Sequence, residues 1–221
     1  MHIGRGEFIR PRNPTRLQRR AHRRQLPIVR PLPDPFERSD RGDRSANFSD
    51  WNHRRSEIKA EIEHYGIGEK PDRPKDITAS YSEGTLTLNV TMNGNTLTLT
   101  SAVTLPEGEG PFPCGDRNRK GTGSLPEEIF SNRNIAQIAF NFGQIMSHTQ
   151  TRGNEPINKL YPDLTYIGAY SAWSWGVSRI IDGLELVADV LKIDLKHLSI
   201  TGCSFAGKWP FSRRPLMNEL H

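Results

Sequence analysis

Residues 199–211 read SITGCSFAGKWPF. Ser199, Ile200 and Thr201 have the look of a strand end, and Gly202-Cys203-Ser204 bends the chain sharply. Phe205-Ala206-Gly207-Lys208 then opens a helix. A serine at the apex of a strand-to-helix turn has its hydroxyl exposed, and the amides of the helix N-terminus can stabilise an oxyanion beside it. Ser204 is therefore the candidate nucleophile of an acyl transfer. The competing reading is an ordinary N-cap serine, which the same pattern allows. The second glycine of the usual turn is displaced by one: Ala206, small enough to be tolerated, stands in its place and Gly207 follows.

The segments leading to this turn set the fold class. His197–Thr201 reads as a strand, preceded by a helix of roughly six turns over "GAYSAWSWGVSRIIDGLELVADVLKI", whose apolar residues include Trp173, Val177, Ile180 and Leu184. "NIAQIAFNF" (134–142) is a second short buried strand. Strand, helix and strand in succession require a parallel sheet with right-handed crossovers, and ligands then gather at the carboxyl ends of the strands. Upstream, Leu86, Leu88, Val90 and Met92 alternate with polar residues, Asn93-Gly94 signals a type I′ turn, and Leu97 and Leu99 resume the alternation. That is a β-hairpin, and it is scaffold. Before it, "SDWNHRRSEIKAEIEHYGIG" predicts a helix capped by Ser49 or Asp50. Trp51, Ile58, Ile62 and Tyr65 lie on its inner face, the charged residues including Arg54 and Lys59 on its solvated face, and Gly66 is its stop.

Charge divides the chain. Residues 1–30 hold nine arginines against one acid, Glu7, a surplus of +8 in a chain of formal net charge +5, so the remainder stands at −3. With its prolines and no apolar period, this stretch reads as an unstructured basic tail. A nucleic-acid or anionic-surface arm is the alternative, but no aromatic platform or recognition helix accompanies the charge. No apolar stretch near the start forms a readable secretory signal, and no run is long enough for a membrane span. Cys114 and Cys203 are too few for a disulfide framework or a zinc site. Gly121-Thr122-Gly123-Ser124 reads as a turn, since no Lys-Ser/Thr pair follows to make a phosphate loop. His197 reads as a surface residue, whereas His148 could approach a pocket. On a long apolar helix Trp173 and Trp175 read as core before they read as sugar platforms. Asn47-Phe48-Ser49 and Asn89-Val90-Thr91 match the glycosylation acceptor pattern, which has meaning in a eukaryotic secretory setting.

"AYSAWSWGVSRIIDGLE" followed by "ITGCSFAGK" resembles the glucuronoyl esterases of carbohydrate esterase family 15, which carry a Trp-x-Trp-Gly-x-Ser-Arg helix and then Gly-Cys-Ser-Arg-x-Gly-Lys. The hairpin, "LPEGEGPFP" and "NRNIAQIAFNF" extend the likeness over residues 36–208. The resemblance implies an α/β class, with the N-terminal half of an α/β-hydrolase fold in which a hairpin joins a partial parallel sheet. It implies a serine carboxylic ester hydrolase on 4-O-methyl-glucuronate esters of lignin–xylan. No cofactor, metal or membrane partner is expected. A nucleic-acid partner is disfavoured, resting on the basic tail alone, with a non-catalytic chain that acts through that arm as the alternative function. Secretion or a periplasmic location is implied in the same way. Ser204 falls at the family's nucleophile and Lys208 at its glucuronate-contacting lysine. Phe205 departs from the family's oxyanion-stabilising arginine, which leaves another carbohydrate ester, such as acetylxylan, as an alternative substrate.

Two stretches depart from the resemblance: "CGDRNRK" (114–120) and "WPFSRRPLMNELH" (209–221). Back-translated with free codon choice, the second can spell MALFAAAFDERIA in a shifted frame, and the first AVIGIG plus Lys or Arg. The expected reading is local frameshifting, checked by the nucleotide sequence. After Ser204 the acids and histidines are Glu219 and His221 alone, while the order of an α/β-hydrolase triad is serine, acid, histidine. The expected organisation is a basic tail over 1–35, a partial esterase domain over 36–208 and an aberrant tail over 209–221, with little or no activity in this chain. "CGDRNRK" is expected either to bury a cluster of charge or, more readily, to refuse to be a strand.

Overall fold

The computed structural model describes residues 34–38, 44, 47–118, 125–149 and 151–202. The basic tail up to residue 33, the Gly121–Ser124 turn, the serine turn from Cys203 onward and the tail Trp209–His221 lie outside the described residues. Met1–Ala46 and Asn47–His221 are separate compact units. In the first, Arg44 pairs with Asp34 at 2.7 Å and lies over the Phe36 ring, and Glu37 bridges Arg44 in antiparallel fashion.

The second unit begins with a 3-10 turn, Phe48–Asp50, and helix α1, Trp51–Ile62. Asp50 stands at the cap but makes no side-chain cap bond; its Oδ2 accepts from the Asn47 amide instead. The inner face differs from the sequence expectation. Tyr65 is 84% exposed and Ile62 is exposed as well, whereas Arg54 is buried and pairs with Glu57 at 3.0 Å. For Tyr65 the cause is the π turn Glu63–Ile67, whose wider winding breaks the helical phase after Ile62. Gly66 lies within that turn, and Gly68, at φ 80°, ends it.

Six strands follow: β1 (Asp76–Ser82), β2 (Thr85–Met92), β3 (Asn95–Thr104), β4 (Phe112–Asn118), β5 (Ala136–Phe140) and β6 (Ile193–Thr201). They form one mixed sheet in the order β1-β2-β3-β5-β4-β6. β1, β2 and β3 are antiparallel neighbours, β3 joins β5 antiparallel, and β5, β4 and β6 are parallel. Asn93-Gly94 makes the β2–β3 turn with both residues at positive φ, as a type I′ turn requires. Glu83-Gly84 repeats this between β1 and β2. β1 is a strand the sequence reading passed over.

The second correction concerns "CGDRNRK". Rather than refusing to be a strand, Phe112–Asn118 lies between two parallel neighbours, with Cys114 opposite Ala136 of β5 and Leu198 of β6. The backbone of such a strand bonds on both sides whatever its side chains, and Cys114 and Gly115 are buried.

A short helix, α2 (Glu127–Ser131), precedes β5, and α3 (Ala169–Leu186) connects β5 to β6. Fifteen of the eighteen residues of α3 are buried, which places it between two layers. One side meets the sheet, where Gly176 lets the helix close on Ile145 and Phe140, and Gly183 lets it close on Leu88. The other side meets the segment 67–74: the Gly168 amide donates to the Ile67 carbonyl at 2.7 Å, and Lys70 Nζ donates to Ser178 Oγ at 2.8 Å. The helix is shorter than the sequence suggests. Val187 leaves helical geometry, a final turn α4 (Ala188–Leu191) follows, and Lys192 reverses the chain into β6 at φ 52°.

Candidate active site

β6 runs parallel to β4 up to the pair Arg117–Thr201, and Gly202 is the last described residue before the serine turn. The expected site residues Ser204, Phe205 and Lys208 lie outside the described residues. The described platform consists of the carboxyl ends of β5 and β6 and the connection from β5 to α3, on the side of a parallel sheet where ligands gather.

That connection is held by its own polar side chains. Glu155 is 5% exposed, and its carboxylate accepts from the Ser147 amide at 2.7 Å, from the Ser147 hydroxyl at 2.7 Å and from the Thr151 amide. Asn158 Oδ1 accepts from the Glu155 amide, while Nδ2 donates to the carbonyls of Tyr161 and Leu164. A buried carboxylate whose donors come from its own loop is a staple for that loop. Trp173 anchors the same segment to α3, its indole N–H donating to the Met146 carbonyl at 2.8 Å. His148 is exposed and stacks on the Trp173 ring, with centroids 6.1 Å apart. Trp173 and Trp175 are 1% and 0% exposed, so both are core, as the sequence reading preferred.

Along the next turns of α3 lies a cluster the sequence reading missed. Arg179 is 0% exposed, lies over the Trp175 ring at 5.4 Å and places Nε 2.7 Å from Asp182 Oδ2. Asp182 also meets Arg73 at 3.1 Å, and Arg73 reaches Glu185 at 3.7 Å. The available signal was a pair of opposite charges three residues apart in an otherwise apolar helix. Tyr161 packs edge-on against Trp175 and donates its hydroxyl to the Asp72 carbonyl. Burial pushes its phenol above the ordinary tyrosine range, which keeps it a neutral donor. Beside this network an open cleft of about 290 Å³ is lined by Lys70, Asp72, Arg73, Met92, Tyr161 and Tyr166.

His197 is exposed on β6, its Nδ1 2.7 Å from Asp194. Among the described residues no group of three His, Cys, Asp or Glu side chains is placed to hold a metal ion, and no helix is long and apolar enough to cross a membrane.

A mixed sheet whose parallel strands are crossed by a buried helix, the last of them leading to Gly-x-Ser, is part of an α/β-hydrolase fold. Residues 88–213 match the family described as "Glucuronyl esterase, fungi". The chain is 35% identical over 193 residues to a 4-O-methyl-glucuronoyl methylesterase of Thermothelomyces thermophilus, covering 86% of this chain and 47% of that protein. Its fold is similar to the glucuronoyl esterase catalytic domain from Hypocrea jecorina, with a TM-score of 0.70, 35% identity and coverage of 83% of this chain and 51% of the other. It is also similar to a mutant glucuronoyl esterase from Sporotrichum thermophile solved with methyl 4-O-methyl-β-D-glucopyranuronate, with a TM-score of 0.72, 34% identity and coverage of 81% and 48%. The chain belongs to the fungal glucuronyl esterase family. It spans about half the length of the Thermothelomyces relative.

Proposed function

We propose that the protein is a secreted serine carboxylic ester hydrolase acting on esters of 4-O-methyl-glucuronate, of the kind that join glucuronoxylan to lignin alcohols. The observation that carries this reading is the family match over residues 88–213, an interval that contains Ser204 and Lys208. The sugar ester held by the Sporotrichum relative supports the substrate class.

Ser204 is proposed as the nucleophile. Its Oγ adds to the ester carbonyl and loses its proton to a base, and the carbonyl oxygen becomes an oxyanion. The C–O bond to the alcohol then breaks as that alcohol takes up a proton. Water adds to the resulting acyl-enzyme in the same manner and releases the sugar acid together with the Ser204 hydroxyl. Lys208 is proposed to complement charge on the glucuronate, and backbone amides to serve the oxyanion where Phe205 stands in place of an arginine. An unassisted serine is a weak nucleophile. Glu219 and His221 are the sole acid and histidine of these 221 residues after Ser204, and the 221-residue chain alone is proposed to have little or no turnover.

The test compares the 221-residue chain with a frame-corrected version extended to the length of the Thermothelomyces relative, on methyl 4-O-methyl-glucuronate and on acetylated xylan. Expected are turnover of the glucuronate ester by the frame-corrected version, its loss in Ser204→Ala, and loss of fluorophosphonate labelling in the same variant. Undiminished labelling in Ser204→Ala would remove the nucleophile assignment. Turnover of the acetyl ester alone would remove the substrate.

A further inference from the structure

Asn89-Val90-Thr91 lies in the middle of β2, and its setting differs from that of an arbitrary surface asparagine. The strand alternates, so Leu88 and Val90 are 0% exposed beneath the sheet while Asn89 is exposed on its outer face. Thr91, two residues on, shares that face. Directly across from Asn89 stand Thr78 of β1 and Thr98 of β3, and Thr87 and Thr91 flank it along β2. All four neighbours are therefore threonines, short side chains that end in a hydroxyl. Ser80, Thr96 and Thr100 continue the face, and Asp76 is the one charged residue pointing outward from β1–β3.

The amide oxygen is held: Thr98 Oγ1 donates to Asn89 Oδ1 at 2.7 Å, on the exposed face of the sheet. Thr91 Oγ1 lies 3.0 Å from Thr96 Oγ1, so the acceptor hydroxyl is also on the open surface. A bulky or charged side chain opposite Asn89 would collide with a sugar joined to Nδ2. Four threonines leave it room and offer hydroxyls at cross-strand spacing, roughly 5 Å away.

We propose that Asn89 carries an N-linked glycan whose first sugar lies against the threonine face of β1–β3. The donor class is an oligosaccharide joined through its reducing carbon to a polyprenyl pyrophosphate. The Asn89 Nδ2–C1 bond forms, the C1–O bond breaks to release the polyprenyl pyrophosphate, and the proton lost from the amide is balanced by the charge of that leaving group. Transfer takes place on the extended chain, and the folded sheet then has to accommodate the product. The inference rests on the proposed secretion of the protein and is independent of its esterase activity.

The experiment is secretion of the protein from a fungal host, followed by peptide N-glycosidase treatment in heavy-oxygen water and peptide mass analysis. The peptide containing Asn89 is expected to show labelled aspartate at that position. Asn89→Gln and Thr91→Ala are expected to abolish the label, and Thr91→Ser to retain it. Unlabelled Asn89 beside labelled Asn47 would overturn the proposal while leaving secretion intact. Both positions unlabelled in protein recovered from the medium would also overturn it. Failure of the protein to enter the secretory pathway would remove the proposal together with the localisation on which it rests.

Discussion

Replacing Asp182 by asparagine tests the buried charge cluster of α3 with nearly no change of shape. Arg179 is 0% exposed and its Nε lies 2.7 Å from Asp182 Oδ2. With an effective dielectric constant of about 20, two unit charges at this separation attract by roughly 6 kcal/mol before desolvation is subtracted. The asparagine oxygen can still accept a hydrogen bond, but it brings no charge to a guanidinium that remains buried. Breaking such a pair from one side costs about 3–5 kcal/mol, largely as the penalty of the remaining charge. Arg73, which meets the same carboxylate at 3.1 Å, is 52% exposed, and Arg73→Ala should cost no more than about 1 kcal/mol. Replacing both members, Arg179→Met with Asp182→Leu, should restore most of the stability, because no buried charge is left behind. Urea unfolding of the protein, read as a change in midpoint at constant slope, measures all three. A loss in Asp182→Asn no larger than that in Arg73→Ala would refute the account.

Two further outcomes follow from local geometry. A Cβ on Gly183 would stand 2.4 Å from Leu88 Cδ2, and Leu88 is 0% exposed with nowhere to retreat. Gly183→Ala should therefore destabilise, the overpacking cost of about 1–3 kcal/mol outweighing the roughly 1 kcal/mol that alanine gains over glycine in a helix; unfolding in urea that shows net stabilisation would refute this. The Asp194 carboxyl is held below its usual range, first by the hydrogen bond with the His197 ring and then by the Lys196 amide. Its contribution to stability is present above the ordinary aspartate pKa and is lost as pH falls through the lowered folded value. Carboxyl-carbon NMR should show Asp194 titrating below the ordinary aspartate range, and His197→Ala should raise it.

The hairpin, the parallel unit and the Trp-rich helix were legible because each has a strong local signature. Asn93-Gly94 sits between two alternating runs, and Trp173 to Leu184 keep a helical period. β1 escaped notice because, as an edge strand, it buries nothing completely: Ile77, Ala79 and Tyr81 are only half-buried. The stretch "CGDRNRK" misled in the opposite direction. Its polar side chains argue against a strand, yet pairing with β5 and β6 forms one through Asn118, since tertiary context overrides β-propensity. Periodicity also misplaced Tyr65, because a stripe drawn at a constant 3.6 residues per turn cannot foresee a π turn. Glu155 had no readable signal at all, since its donors are set by how the loop closes.

The Trp-Ser-Trp-Gly-x-Ser-Arg motif was a mark of resemblance in the sequence, and its geometry supplies a reason for its make-up. Several of its members fix α3, some to neighbouring segments and some within the helix itself. Trp173 holds the loop that leaves β5, and Gly176 admits the side chains of Ile145 and Phe140. Ser178 receives Lys70 from the preceding segment, and Arg179 stacks on Trp175 while pairing with Asp182. α3 is the crossover between β5 and β6, so whatever fixes the helix fixes where β6 begins and the register with which it reaches Thr201. Sites that perform chemistry need their groups held to within about half an ångström by supporting residues. The proposed nucleophile, Ser204, follows Gly202 by two residues in the sequence, so under that proposal the support given to α3 and β6 bears on it directly.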